Sequence, residues 1–265
     1  MSAAPAPSSK GVLYPDKLPA TFRRIPANGS LQDLVRWWWI ATWNLEEGEK
    51  SEQSIIAFPA SNLAVENTCV GFAGPTTRAS TRELTGTGWV IGALLQPAAA
   101  FLLYPDLSAT LNSYIHLQEP EIHRRVTIAV KTALSEGIPI LANWLAESCA
   151  PLTEEDLFAN RMVQAAESNP TIHTVYDLAR HMNCSERTLH RLCARYVGLT
   201  PYAIIRRFRI QNVAEEIRCH PYESIADIAA RCGFSDHAHC AREFRVILGM
   251  SPSTYRKECA PRPRE

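Results

Sequence analysis

Two short stretches in the last third of the chain gather side chains suited to gripping an anion or the polar edge of a base. In SERTLHRLCARYVG, residues 185–198, Leu189, Leu192, Cys193 and Tyr196 recur at three and four, the spacing of a buried helical stripe. The opposite face then presents Arg187, Thr188, His190, Arg191 and Arg195. In SDHAHCAREFRVILG, residues 235–249, the stripe is Cys240, Phe244 and Ile247 or Leu248, which leaves His237, Ala238, Ala241 and Arg242 outward. A solvated helix mixes charges of both signs, whereas the first face holds three arginines and a histidine beyond its acidic first turn. A guanidinium is a planar fork that matches guanine O6 and N7 or a phosphate. Arg187 and Arg191, four residues apart, suit bases, and Arg195, a turn further on, suits phosphate. Small alanines on the second face let a helix lie close to thymine methyl groups.

These faces sit within an internal repeat. DLARHMNCSE, residues 177–186, aligns with DIAARCGFSD, residues 227–236, at an offset of 50, and GLTPYAIIR aligns with GMSPSTYR at an offset of 51. The extra residue is expected within the second copy's middle helix. Each copy reads as a helix, a tight turn near Asn183 or Gly233, a capping serine (Ser185 or Ser235) followed by an acid, and a second helix stopped by Gly198 or Gly249. Helix, short turn, helix is the geometry that lays its second helix in the major groove. Between the copies PYAIIRRFRIQNVAEEIRC, residues 201–219, opens on a favourable proline and reads as one helix. At about 1.5 Å per residue it spans roughly 28 Å. Such a rod can hold two reading helices about 34 Å, one DNA turn, apart.

Upstream the texture differs. Residues 1–30 carry five prolines among serine and alanine and read as a flexible lead-in. VRWWWIATW, SIIAFPASNLAVEN and GWVIGALL, punctuated by glycines, predict several short strands. From Pro97 the pattern turns helical, with EPEIHRRVTIAVKTALSEG, residues 119–137, as one long segment and IPILANWLAES and TEEDLFANRMVQAAES after it. The fold class is thus α+β with two domains, over residues 31–150 and 151–260, and a tail at 261–265. Net charge is zero, but a cut after Asn169 leaves 12 basic against 17 acidic residues before it and 15 against 10 after it. The second part is arginine-dominated, with Lys257 its one lysine, and fits a nucleic-acid partner better than a membrane surface. No apolar run is long enough for a membrane span and the first residues lack a signal-peptide pattern, so a cytoplasmic protein is expected. In that setting the eight cysteines read as reduced thiols used as packing.

Residues about 160–260 resemble the DNA-binding domain of the AraC/XylS family of transcription regulators. The resemblance is carried by IADIAARCGFSDHAHCAREFRVILGMSPSTYR, residues 225–256, with its Gly-Phe turn, its Gly-x-Ser-Pro step and its final Tyr-Arg. It implies base-facing positions at Arg187, His190 and Arg191 and at His237, Ala238, Ala241 and Arg242. Cys193 and Cys240 stand where the family usually has larger apolar residues, and Ala238 replaces a common serine. The N-terminal part is similar to the β-rich domain that precedes the helix-turn-helix pair in one branch of the family. That similarity implies a cupin-like half-barrel followed by helices, which in the wider family binds effectors, dimerises, or both. The implied partners are double-stranded DNA, RNA polymerase, a small-molecule effector and a second copy of the chain.

Trp37, Trp38, Trp39 and Trp43 suggest an aromatic pocket, but Trp37, Trp39 and Ile56 or Ala57 alternating inward as plain core is the favoured reading. No effector ligand set stands out, with only His116 and His123 beyond the strands. Zinc could be drawn from His181, Cys184, His190 and Cys193, or from Cys232, His237, His239 and Cys240, yet each group crosses a helix-turn-helix where the cysteines occupy core positions. Neither a metal nor any other cofactor is expected. Glu121, His123 and Cys149 are scattered without a nucleophile elbow, phosphate loop or metalloprotease pair, so an enzyme is not expected either.

Overall fold

The computed structural model describes residues 21–55, 57–149 and 151–259. Its N-terminal part contains strands β1 (Thr21–Pro26), β2 (Val35–Asn44), β3 (Lys50–Ile55), β4 (Asn62–Glu66), β5 (Val70–Ala73), β6 (Ser80–Thr85) and β7 (Thr87–Leu95). Helix α1 (Pro97–Leu103), strand β8 (Tyr114–Leu117) and helices α2 (Pro120–Ala129) and α3 (Gly137–Ser148) follow. The C-terminal part is helical: α4 (Glu154–Ser168), α5 (Val175–His181), α6 (Glu186–Val197), α7 (Pro201–Cys219), α8 (Ile225–Arg231), α9 (His237–Leu248) and α10 (Pro252–Cys259).

Six strands form one antiparallel sheet in the order β1, β2, β7, β4, β5, β8, and β3 pairs with β6 in a separate ribbon. This is the expected half-barrel, open rather than closed. Residues 21–26 pair with β2 along their whole length, so a lead-in over 1–30 gives way to a strand at Thr21. Residues 1–20 and 261–265 lie outside the described residues. Two further expectations are corrected. SIIAFPASNLAVEN is split between β3 and β4 by a loop, and the segment 119–137 is α2 followed by a short 3₁₀ turn rather than one helix.

The face of the sheet that carries Val35, Trp38, Ile40, Leu63, Val65, Ile91 and Leu95 packs on α1, α2 and α3. Trp38, not Trp37 or Trp39, is therefore the core tryptophan. The cause is a register shift between Val35 and Trp37, which moves the inward set by one residue, and a shift of one exchanges every side chain between faces. Trp39 and Trp43 lie on the other face beside Phe22, Ala41, Ala64 and Val90. Ile56 lies outside the described residues. Ala57 is buried, but against α7, α8 and α9 rather than within the sheet.

The helical part holds two cores, and α7 belongs to both. Ile204, Ile205 and Phe208 pack with α4, α5 and α6, while Ile210, Val213, Ala214 and Ile217 pack with α8, α9 and α10. The repeat also reaches the helices that lead each unit, because the C-caps of α4 and α7, Asn169 and His220, align at an offset of 51. Asn160 and Gln211 correspond at that offset, and both carboxamides hold the N-terminal part. Asn160 accepts from the Ala98 amide at 2.9 Å and donates to the Asp33 carbonyl at 2.8 Å, and Gln211 donates to the Ala57 carbonyl at 2.8 Å. Arg207 donates to the Thr76 and Thr77 carbonyls, each at 3.1 Å, and the Ala79 amide donates to the Ile247 carbonyl at the end of α9. Arg36 on β2 pairs with Glu167 on α4, both nearly buried.

Both second helices stop on a left-handed glycine, Gly198 at φ 71° and Gly249 at φ 78°. The surroundings differ. A Cβ on Gly198 would stand 2.7 Å from the Leu107 backbone, whereas one on Gly249 meets nothing within 4 Å. Gly249→Ala should therefore cost about 1 to 2 kcal/mol for the left-handed backbone alone. Gly198→Ala should lose roughly 1 to 3 kcal/mol more through the clash with residues 107–108. Urea unfolding of the two variants checks this, and equal losses would mean that the contact between α6 and the N-terminal part is absent in solution.

Candidate nucleic-acid interface

Each unit is built from local signals that agree. Thr174 and Ser224 cap α5 and α8, the first through a capping box with Asp177. Asn183 and Gly233 turn the chain with φ of 50° and 76°. Ser185 caps α6 by accepting from the Thr188 amide at 3.1 Å. In the second unit the cap is Asp236, which accepts from the His239 amide at 2.7 Å, and not Ser235 as expected. Both helices are consequently 12 residues long, and the additional residue of the second copy lies in the turn rather than within the helix. The advance from Ser185 to Asp236 is 51, so Arg191 and Arg242 correspond in the structure.

The stripes Leu189, Leu192, Cys193, Tyr196 and Cys240, Phe244, Ile247, Leu248 are buried. They fix which way each helix faces. Arg187, His190, Arg191 and Arg195 are exposed and Thr188 is half-buried. On α9 His237, Ala238 and Arg242 are exposed and Ala241 is half-buried, with Arg245 exposed one turn beyond. The arginines of the two helices are not in equal situations. Arg191 gives both terminal nitrogens to Glu155 of α4, Nη1 at 3.2 Å and Nη2 at 2.6 Å, and Arg195 adds its Nη1 to the same carboxylate at 3.0 Å. The bonds from Arg191 hold the Glu155 carboxyl below the usual carboxylate range. Among the described residues no carboxylate bonds to Arg242. Glu155 was not legible as a partner, since its contacts lie 36 and 40 residues along the chain.

In the N-terminal part the four tryptophans do not line one pocket. Trp38 is core, Trp39 donates to the Asn62 side chain, Trp43 donates to the Thr85 carbonyl, and Trp37 lies between the Arg24 and Arg36 guanidiniums. The sheet instead gathers a polar cluster that sequence reasoning missed. The buried Glu66 carboxylate accepts from the Tyr114 hydroxyl at 2.5 Å and pairs with Arg82, and His123 Nε2 lies 3.0 Å from the Glu66 carbonyl. Its parts come from β4, β6, β8 and α2, and the small strand β8 lay hidden in a helical texture.

No three His, Cys, Asp or Glu side chains among the described residues converge as metal ligands. Cys193 and Cys240 are sealed in the two helical cores, and burial pushes each thiol up to about 12. Cys219 is exposed at the end of α7. A thiol reagent at pH 8 should label Cys219 rapidly and reach Cys193 and Cys240 only on unfolding, as mass mapping after quenched labelling would show. Prompt labelling of Cys193 in the native protein would contradict this packing.

Residues 178–258 match the family described as "Helix-turn-helix domain", and residues 23–115 match the "Domain of unknown function (DUF6597)". The chain is 38% identical over 81 residues to the "HTH-type transcriptional activator RhaS" of Klebsiella pneumoniae (strain 342), a match covering 31% of this chain and 29% of the relative. The chain thus aligns with less than a third of the length of that curated relative. Among solved structures it is similar to the C-terminal domain of AraT, a response regulator from Geobacillus stearothermophilus, with 20% identity and a TM-score of 0.38 over 44% of this chain and 94% of that one. ToxT from Vibrio cholerae O395 aligns over 85% of this chain and 99% of its own, with 8% identity and a TM-score of 0.45. No described helix is long and apolar enough to cross a membrane. The helix-turn-helix match thus covers the two helical units, and the match to a domain of unknown function covers most of the strand-rich part.

Proposed function

We propose that this chain is a sequence-specific DNA-binding transcription regulator in which α6 and α9 enter successive major grooves. The observation that carries the reading is the pair of equal-length helices, each with a buried stripe and an outward arginine at the corresponding position, joined by the 19-residue α7. Its length, roughly 28 Å, is close to the advance of one DNA turn. Base contacts are assigned to Arg187, Thr188, His190 and Arg191 in the first unit and to His237, Ala238, Ala241 and Arg242 in the second. Arg195 is assigned to phosphate. The helical unit begins near residue 151, and the strand-rich part over 31–150 is the seat of control by a small effector or a partner and of self-association into a homodimer. RNA polymerase is the further partner that a regulator of this kind addresses. The reaction is binding and not catalysis, and it takes place in the cytoplasm.

The test uses the full chain on genomic fragments. Binding should weaken steeply as salt rises, because neutralised phosphates release counterions. Arg191→Ala and Arg242→Ala should each cost about 1 to 3 kcal/mol on the preferred site and relax base preference in one half of it only. Arg195→Ala should weaken binding to all sequences alike. If selection from randomised DNA returned the wild-type preference for both alanine variants, the reading face would move to Arg187, His190 and His237. Failure of the wild-type chain to bind any fragment at low salt would remove the assignment itself.

A further inference from the structure

We infer that Glu155 is an internal competitor for DNA, which occupies the arginines of the first reading helix in the free protein and so sets how tightly the first unit binds. This rests on the DNA-binding reading above. Glu155 stands in the first turn of α4, and that turn is fixed against α6. Thr153 and Asp156 form a capping box, and Asp156 accepts from the Tyr196 hydroxyl at 2.8 Å. The carboxylate is thereby held next to Arg191 and Arg195, which sit one turn apart on α6. Arg191 meets it end-on with both terminal nitrogens, the fork-to-fork arrangement that an arginine also uses on a phosphate or a guanine. While Glu155 occupies that edge, Arg191 cannot offer it to DNA. Arg195 is bound to the same carboxylate and its guanidinium lies 4.6 Å from the centre of the Phe101 ring, which fixes its orientation as well.

The three side chains are open to exchange. The relative exposures are 35% for Glu155, 53% for Arg191 and 46% for Arg195, so a duplex can displace the carboxylate without unfolding the helix pair. The second unit has no such competitor. The position equivalent to Glu155 on the leading helix is Arg206, which pairs with Glu243 on α9; among the described residues no carboxylate bonds to Arg242, and Asp236 at the start of α9 acts on it only through its charge. Sign and direction are both reversed there. Glu155 therefore lowers the contribution of one half of the site while the other half stays at full strength.

The experiment compares full-length wild type with Glu155→Gln, a substitution of equal shape that leaves the capping box to Thr153 and Asp156. An exposed ion pair is worth up to about a kcal/mol, so binding should tighten about fivefold. The gain should be largest at low salt, since the charge that competes with the phosphates is itself screened as salt rises. Both changes should vanish in an Arg191→Ala, Arg195→Ala background, a dependence that general stabilisation of α4 would not show. Unchanged or weaker binding by Glu155→Gln, or an equal gain in the background lacking both arginines, overturns the inference while the regulator assignment stands. A wild-type chain that retains no DNA at low salt overturns both together.

Discussion

Helix α7 is apolar on two flanks at once, with Ile204, Ile205 and Phe208 in one core and Ile210, Val213, Ala214 and Ile217 in the next. A helix buried on a single side shows one stripe, whereas this one is committed to two units and has no free side on which to slide or turn. Its rotation about its own axis sets both α6 and α9, because each packs against it directly or through its unit's core. The relative aim of the two arginine faces is thus a property of α7 and of whatever grips α7.

The N-terminal part grips it. Arg207 and Gln211 project from α7 to the carbonyls of Thr76, Thr77 and Ala57, and Phe58 meets Phe208 edge to face. These acceptors are backbone atoms of the loops that flank β3 and follow β5, so a shift of those loops changes the bonds of α7 rather than only side-chain rotamers. Burial lowers the Arg207 guanidinium to about 10, and its donors are taken up by three carbonyls, including that of Ala203. Removing the N-terminal part would strip those partners and leave a buried-type arginine in water beside an exposed Phe208. A coupling between the strand-rich part and the reading helices needs no long relay, since one layer of hydrogen bonds separates them.

The C-terminal architecture was legible because its signals are local and agree with one another. Thr174, Ser185 and Ser224 cap helices within three residues, Gly198 and Gly249 stop them, and the stripes follow the 3.6 period. At Ser235 the neighbouring Asp236 caps instead, and the shorter turn of the first copy misplaced the added residue. The N-terminal part was less legible for a different reason. Strand faces have a period of two, so the shift between Val35 and Trp37 reversed the reading of three consecutive tryptophans. Strand β8 has four residues, YIHL, lying between the helical runs of α1 and α2, and pairing with β5 decides its state. Tyr114 reaches Glu66 through that pairing, and Glu155 meets Arg191 only through the packing of α4 on α6.

The two units diverge most where their leading helices meet their reading helices. In the first, Asp156 of α4 accepts directly from Tyr196 of α6, a bond internal to the unit. The corresponding positions of the second are Arg207 of α7 and Ile247 of α9, and they do not bond to each other. Both turn instead to the segment from Thr76 to Ala79, Arg207 as a donor to two carbonyls and Ile247 as an acceptor from the Ala79 amide. A loop of the N-terminal part thus takes the place that a side chain fills in the first copy. The first unit carries an acid against its arginines and packs on Phe101 and the Leu107 backbone, whereas the second meets the loop from Thr76 to Ala79 and has no carboxylate bonded to Arg242 among the described residues. The repeat has two equal helices, and the contacts around them differ: both units are held to the N-terminal part, and the first alone has its arginines bonded to Glu155.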